Sequence, residues 1–321
     1  MIQKKLTSLF LGVVFVGTFV NSAYASGGLV EVPVREVTSI EPSIIHYDNE
    51  EISKRLNALR TDPSEAGVWA RGVMGDTKIR DYKYDFSIVS SGYDKHIENE
   101  ARHLFTGLSL SYSTNDCDDK LIGKTKSLGL NLYGSWLGKE NNDYVDLIIR
   151  YGKLDKEYFT KDYGTGGTYL KSQDYDKKLW SFSAKYGRRF TQNNEWYYEP
   201  FCGLSYGHIS KENYLADYDT PVKADSIVST IAKAGVQFGK NIKGIEYYGK
   251  VEVNHEFDGM ITVREYGQRV EDDMGGTWYK VGIGAARKID KNNSFYIDIE
   301  KDFGNKVKKP YSIGFGYRYT W

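Results

Sequence analysis

From Gly67 to the end, apolar and polar residues alternate along the chain. The run "SLGLNLYGSW" (Ser127 to Trp136) puts Leu128, Leu130, Leu132 and Trp136 on one face and Ser127, Gly129 and Asn131 on the other. The run "LWSFSAKYG" repeats this, with Trp180, Phe182, Ala184 and Tyr186 opposite Ser181, Ser183 and Lys185. A period of two is that of a strand, not a helix. "LFTGLSLSY", "YVDLIIRYG", "WYYEPFCGLSYG", "YYGKVEVNHEF", "WYKVGIGAA" and "SFYIDI" follow the same rule. With the less regular segments near Gly67, Phe86 and Thr230 and the terminal "SIGFGYRYTW", the pattern predicts about twelve strands. In that last segment Ile313, Phe315, Tyr317, Tyr319 and Trp321 share one side. Ser312, Gly314, Gly316, Arg318 and Thr320 share the other. So aromatic an edge invites pairing with another chain unless it is closed, and pairing with the first strand, near "GVWARG", closes it.

The turns add direction. Those at "KHIENE", "GKENND", "TQNNE", "NIKG" and "DKNN" are short, whereas "DKEYFTKDYGTGGTYLKSQDYD", "SKENYLADYDTPVKAD" and "DGMITVREYGQRVEDDM" are long. Strict alternation of short and long predicts a barrel with two unlike rims, as in an outer-membrane barrel with tight periplasmic turns and longer extracellular loops. The polar faces carry charge: Arg150, Lys185, Glu199, Lys233, Lys250, Glu252, Lys280, Asp298, Glu300 and Arg318 all lie opposite the apolar side. Singly, each could simply face water; together with the loop pattern they predict a charged lumen that can hold a plug.

Composition agrees. The chain of 321 residues has 27 Tyr and 33 Gly but only 6 Pro, which suits paired strands. A mean hydropathy of -0.53 would be too polar for membrane helices, but a barrel shows lipid only alternate residues. With a formal net charge of +0, nothing implies bulk attraction to nucleic acid.

Upstream, Lys4 and Lys5, an apolar run from Leu9 to Val20 and Ala23-Tyr24-Ala25 predict a secretory signal peptide over residues 1–25, cut after Ala25. Residues 26–48, with Pro33 and Pro42, are expected to be a disordered passenger remnant or linker. Next, "NEEISKRLNALR" (Asn49 to Arg60) reads as a helix within residues 49–63. Asn49 is its cap, Glu50 and Glu51 lie in its first turn, Arg55 and Arg60 lie towards its end, and Pro63 stops it. By itself the segment would equally suit a surface helix; beside a charged lumen it reads as a plug. Residues 67–321 are the barrel.

Catalytic chemistry finds little support. Cys117, in an expected loop, and Cys202, in mid-strand, read as two free thiols, with no zinc-like spacing. The five histidines, among them His208, His46, His96, His103 and His255, form no convergent acid/base set, and "GTGG" (Gly164 to Gly167) lacks the strand-to-helix setting of a phosphate site. Neither an enzyme, a cofactor nor a metal is expected.

The ordered set "RLNALR", "GVWARG", "GYDK", "GLNLYGSWLG", "DLIIRYG", "EPFCGLSYG", "HEF", "GGTWYKVGIG" and "GFGYRYTW" resembles the translocator β-domain of autotransporters, the type V secretion family, over roughly Glu50 to Trp321. The resemblance implies a twelve-stranded outer-membrane barrel whose lumen is crossed by an α-helix leading outwards to a secreted passenger. It places Trp69, Arg71, Glu199, Glu256 and Trp278 in the lumen or barrel girdle, without catalytic roles. It makes the last strand, with Phe315, Tyr317, Tyr319 and Trp321, a signal for the barrel-assembly machinery; Trp321 stands where most members end in Phe. Some members cut themselves at an asparagine beside the helix, but the usual pair is absent and Asn49 fits a cap better.

The expected protein is therefore an all-β barrel plugged by a helix, a monomer that reaches outer-membrane lipid through the Sec export machinery, periplasmic chaperones and the assembly machinery. It would pass or anchor an N-terminal segment at the cell surface. The alternatives are a stand-alone barrel acting as an adhesin through its loops, or a diffusion pore.

Overall fold

The computed structural model describes residues 38–61, 66–79, 82–118, 121–160, 168–171, 177–192, 196–216, 220–265, 268–304 and 307–321. Among these residues the helix α1 (Glu41–Thr61) precedes β1 (Ala66–Ile79), β2 (Tyr82–Glu98), β3 (Arg102–Asp118), β4 (Leu121–Gly138), β5 (Asp143–Thr160) and β6 (Thr168–Lys171). There follow β7 (Lys177–Arg188), β8 (Phe190–Gln192), β9 (Trp196–Ile209), β10 (Glu212–Ala216), β11 (Thr220–Ala224) and β12 (Ile227–Ile242). The last six are β13 (Ile245–Glu256), β14 (Met260–Glu265), β15 (Gln268–Asp273), β16 (Gly276–Lys288), β17 (Asn293–Phe303) and β18 (Val307–Thr320).

Twelve strands, β1 to β5, β7, β9, β12, β13, β16, β17 and β18, pair antiparallel in that order, and β18 returns to β1. The closing register sets Trp69 opposite Arg318 and Met74 opposite Ile313, with one shift between Asp76 and Lys78. Closure removes the aromatic edge. The parity expected of the final strand holds: Phe315, Tyr319 and Trp321 are exposed, while Gly314, Gly316 and Arg318 are buried.

The fold is inside out relative to a water-soluble sandwich. Leu110, Leu128, Leu132, Ile149 and Ile283 are all more than half exposed on the outer face. Ser109, Asn131, Arg150, Lys280 and Arg318 are each 1 % exposed or less on the inner one. An apolar belt of this extent needs a hydrocarbon partner, and strands of 11 to 18 residues exceed the roughly 9–11 that a tilted transmembrane strand requires.

One rim has only short connections, such as the Lys243-Gly244 hairpin, where φ of 52° and 79° gives the two left-handed residues of a primed turn. The other rim is mixed, which corrects the expected strict alternation. On that rim β1 and β2, β3 and β4, and β17 and β18 follow one another with only two or three residues between their bounds, while the remaining connections carry β6 and the separate sheet β10-β11-β14-β15. Cys117, expected in a loop, lies buried within β3, and Cys202 is exposed; the two form no disulfide. Gly164 to Gly167 and residues 1–37 lie outside the described residues.

Towards the short-turn rim a recurring pair tightens the wall. Tyr133, Tyr144, Tyr197, Tyr248 and Tyr296 stand directly across from Gly107, Gly187, Gly239, Gly284 and Gly316 on the next strand. Each ring lies over the missing side chain, so a Cβ at Gly316 would meet Tyr296 at 1.8 Å. Replacing Gly316 with Val must expel that ring. Overpacking of this kind costs about 1–3 kcal/mol, and the variant should unfold at a lower urea concentration than wild type in a heat-modifiable mobility assay.

Candidate functional site

The helix starts eight residues earlier than the sequence suggests, at Glu41 and not at Asn49, so residues 41–48 are helical and not a disordered linker. Pro42 falls in the first turn, where its missing N–H costs nothing. What lengthens α1 is tertiary. Ile40, Ile44 and Ile45 pack into an apolar cluster with Ile79, Tyr84 and Tyr158 of the wall and Val222, Ala224, Ile261 and Val263 of the small sheet. That sheet therefore folds over the loop-side mouth as a lid, its β11–β14 pairing extended by Asp225 N–H donating to Thr262 O at 2.9 Å and by Arg264 pairing with Asp225 at 2.5 Å. Pro63 lies outside the described residues.

Lower down, Ile52, Leu56 and Leu59, spaced at i, i+4 and i+7, meet Trp69, Phe105, Tyr133 and Ile148. Between the two clusters Tyr47 stacks on Phe86 at 5.1 Å. The helix thus crosses the lumen with Glu41 at the loop rim and Arg60 at the short-turn rim, the polarity its dipole favours.

Charged side chains fill the rest of the lumen. Glu41 accepts from Lys156 at 3.2 Å and pairs with Lys177 at 2.6 Å. Asp48 faces Arg150 at 2.5 Å. Glu50 sits among Lys233 at 2.6 Å, Lys280 at 3.0 Å and Lys250 at 3.6 Å. Glu51 holds Arg71, which also reaches Asp298 at 2.5 Å, and Lys54 lies 2.9 Å from both Asp298 and Glu300. Arg55 binds Asp94 through two nitrogens at 2.9 and 2.6 Å, and Arg318 holds the other oxygen of Asp94 at 3.0 Å. Arg60 donates to Asp146 at 2.7 Å, lies 3.6 Å from Glu199 and covers the Tyr144 ring at 3.6 Å. Such pairs survive burial because both partners and their hydrogen bonds are present.

Most residues singled out by sequence thus converge on α1: Arg55, Arg60, Arg71, Arg150, Glu199, Lys250 and Lys280 directly, Arg318 through Asp94, and Glu252 through Lys250 and Lys280. Two stand apart. Lys185 lies over the Phe201 and Tyr144 rings at 4.5 and 5.4 Å, and Glu256 accepts from Ser229 Oγ at 2.5 Å and Thr230 N–H at 2.6 Å at the root of the lid. Asn49 is not a cap: it is internal to the helix, and its Oδ1 accepts from Ser181 Oγ at 3.1 Å. Trp69 donates from Nε1 to Tyr133 OH at 2.7 Å, and Trp278 meets His46 edge-on at 5.3 Å. Glu41, Asp48, Lys54, Asp94, Asp146, Lys156 and Lys177 were missed; strand parity alone would have placed Asp94 and Asp146 in the lumen.

Beside the helix, a small cavity of about 50 Å³ lies between α1 and the wall near Lys54, Arg71, Tyr248 and Lys250, among the charged side chains that hold the helix.

Asp94→Asn removes the acid shared by Arg55 and Arg318. Breaking one partner of a buried pair costs about 3–5 kcal/mol, so urea unfolding should shift strongly, and α1 should become more sensitive to protease. Lys83→Ala, which breaks an ion pair whose lysine is 50% exposed, should change stability by about 0–1 kcal/mol.

The autotransporter beta-domain family model matches residues 68–300. The pertactin autotransporter of Bordetella parapertussis is 25% identical over 313 residues, covering 94% of this chain and 32% of that protein. The serine protease EspC of Escherichia coli O127:H6 is 28% identical over 283 residues, covering 84% of this chain and 21% of that protein. The chain thus spans a third or less of the length of these relatives. Among solved structures, the beta domain of the Bordetella autotransporter BrkA superimposes with a TM-score of 0.65 at 23% identity, covering 80% of this chain and 100% of that one. The translocator domain of NalP from Neisseria meningitidis gives 0.63 at 15% identity, covering 88% and 99%. With the closed barrel, the lumenal helix and a family match over most of its length, the chain belongs to the autotransporter beta-domain family, whose members are outer-membrane barrels.

Proposed function

We propose that this barrel is a translocator that carries or anchors, at the cell surface, the segment preceding Glu41. One observation carries the reading: α1 runs through the lumen with its N-terminal end at the loop rim. Whatever precedes the helix therefore leaves on the loop side, while its other end leads through residues 62–65 into β1 at the short-turn rim. The loop rim is the extracellular one in this reading, because tight turns mark the periplasmic side of outer-membrane barrels. The chain enters the periplasm through the Sec machinery, loses residues 1–25 after Ala25 and reaches the membrane as a monomer with the help of chaperones. The barrel acts mechanically, without catalysis: most of its lumenal acids and bases are engaged in holding the helix. The helix and lid across the lumen argue against an open diffusion pore, and no particular contact favours an adhesin. A reporter domain inserted after Ala25 should be cut by protease added to intact cells; an uncut reporter on a folded, heat-modifiable barrel would refute the proposal.

The last strand is the assembly signal in the same proposal. Trp321 stacks on Tyr93 at 6.1 Å and lies 6.4 Å from Tyr319, so it extends the aromatic belt at the short-turn rim, where indole rings favour the membrane interface. Deleting Trp321 should lower the yield of heat-modifiable barrel in the outer membrane while leaving signal-peptide processing intact; normal yield would contradict this.

A further inference from the structure

At the short-turn rim, away from α1, the β2–β3 hairpin gathers three side chains that the helix clamps do not use. His96, Glu98 and His103 lie on one face, with Glu98 directly opposite His103 and His96 two residues before Glu98 on the same strand, opposite Phe105. Their ligand atoms lie within 4.8 Å of one another, and His96 Nε2 is 2.9 Å from His103 Nδ1. The hairpin is rigid where it matters. Asn99 Oδ1 accepts from the N–H groups of Ala101 and Arg102 at 3.1 and 2.8 Å, and Asn99 N–H donates to Arg102 O at 3.0 Å. His96 is further fixed by stacking on Phe105 at 4.6 Å.

We propose that His96, Glu98 and His103 bind a divalent first-row transition metal, zinc foremost. Two imidazoles and a carboxylate form a borderline N₂O set that suits this ion, with the remaining position open to water at the rim. A tetrahedral ion about 2.0–2.1 Å from each nitrogen sets neighbouring ligand atoms roughly 3.3 Å apart. The histidine pair needs only to open slightly, and Glu98 must swing inwards. Two changes accompany binding: the ring whose N–H bridges the pair shifts to its other tautomer, and Lys139 releases Glu98, which it holds at 2.5 Å in a partly exposed pair of little strength. The result is a clamp across the β2–β3 hairpin at the short-turn rim.

The test is calorimetric titration of Zn²⁺ into the untagged, folded barrel in detergent. Wild type should take up one equivalent; His103→Ala and Glu98→Gln should each bind at least tenfold more weakly, and Lys139→Ala more tightly. Heat-modifiable mobility confirms that each variant is folded, and the exposed Glu98 site keeps the test informative if His103→Ala is not. Absence of saturable binding in wild type, or the same affinity in wild type and Glu98→Gln, would overturn the proposal.

Discussion

Everything inside the barrel depends on one constraint: a helix that carries charge on several sides has to be housed where water is scarce. Such a helix cannot be packed as an apolar core would be, since an unpaired buried charge costs several kcal/mol. The wall meets the constraint by presenting an opposite charge wherever α1 presents one. Asp48 has Arg150, Glu50 has its lysines, Arg55 has Asp94 and Arg60 has Asp146. The alternation that turns apolar residues to lipid necessarily turns the intervening ones to the lumen, so strand register and helix docking are set by the same pattern.

The fastening differs along the helix. At the loop rim it combines Ile40, Ile44 and Ile45 under the lid with Glu41 between Lys156 and Lys177; at the short-turn rim it is aromatic and ionic, with Arg60 between Tyr144 and two acids. Apolar fastening depends on how much surface the lid covers, so it weakens as the lid lifts. The ion pairs of Arg60 at the short-turn rim depend on local geometry alone, whereas at the loop rim Lys156, which pairs with Glu41, also lies 2.8 Å from Glu212 of the lid. Only the loop-rim end of α1 is therefore coupled to the lid.

The barrel was legible because its signal is local: a period of two, broken by turn residues, repeated until the strands close. Lumenal placement of Arg150, Lys280 or Arg318 followed from parity alone. The start of α1 was not legible, because the residues that extend it, Ile40, Ile44 and Ile45, look like linker until the lid that buries them is in place. Pro42 then reads as a break when it is a first-turn residue. Cys117 was misplaced for a related reason: "STNDCDDK" has the composition of a loop, but β3 runs on through it to Asp118 and buries the thiol. Ion-pair partners were legible in part on both sides: Arg55 and Arg60 of the helix and Arg71, Arg150 and Glu199 of the wall were expected, whereas Asp48 lay ahead of the expected helix start and Asp94 and Asp146 were passed over although strand parity places them.

The wall's own pairing decides what the helix is worth to the barrel. Lys250 lies 3.0 Å from Glu300 and 3.7 Å from Glu252, and Lys280 lies 3.8 Å from Glu252. Lys309 lies 3.2 Å from Glu300 and 3.7 Å from Asp302. Without Glu50, Lys250 keeps Glu252 on its own strand and Glu300 on β17, Lys280 keeps Glu252 on β13, and Asp94 keeps Arg318. The side facing α1 across the cavity is therefore neutralised within the wall, and water entering the emptied lumen would find few isolated charges there. Arg150 is the contrast: Asp48 is its acid, and its other partners are Ser111, Ser127 and Asn131. A wall that is mostly self-paired can bind a charged helix firmly and still stand when the lumen holds something else, which an apolar seam matched to one helix could not do.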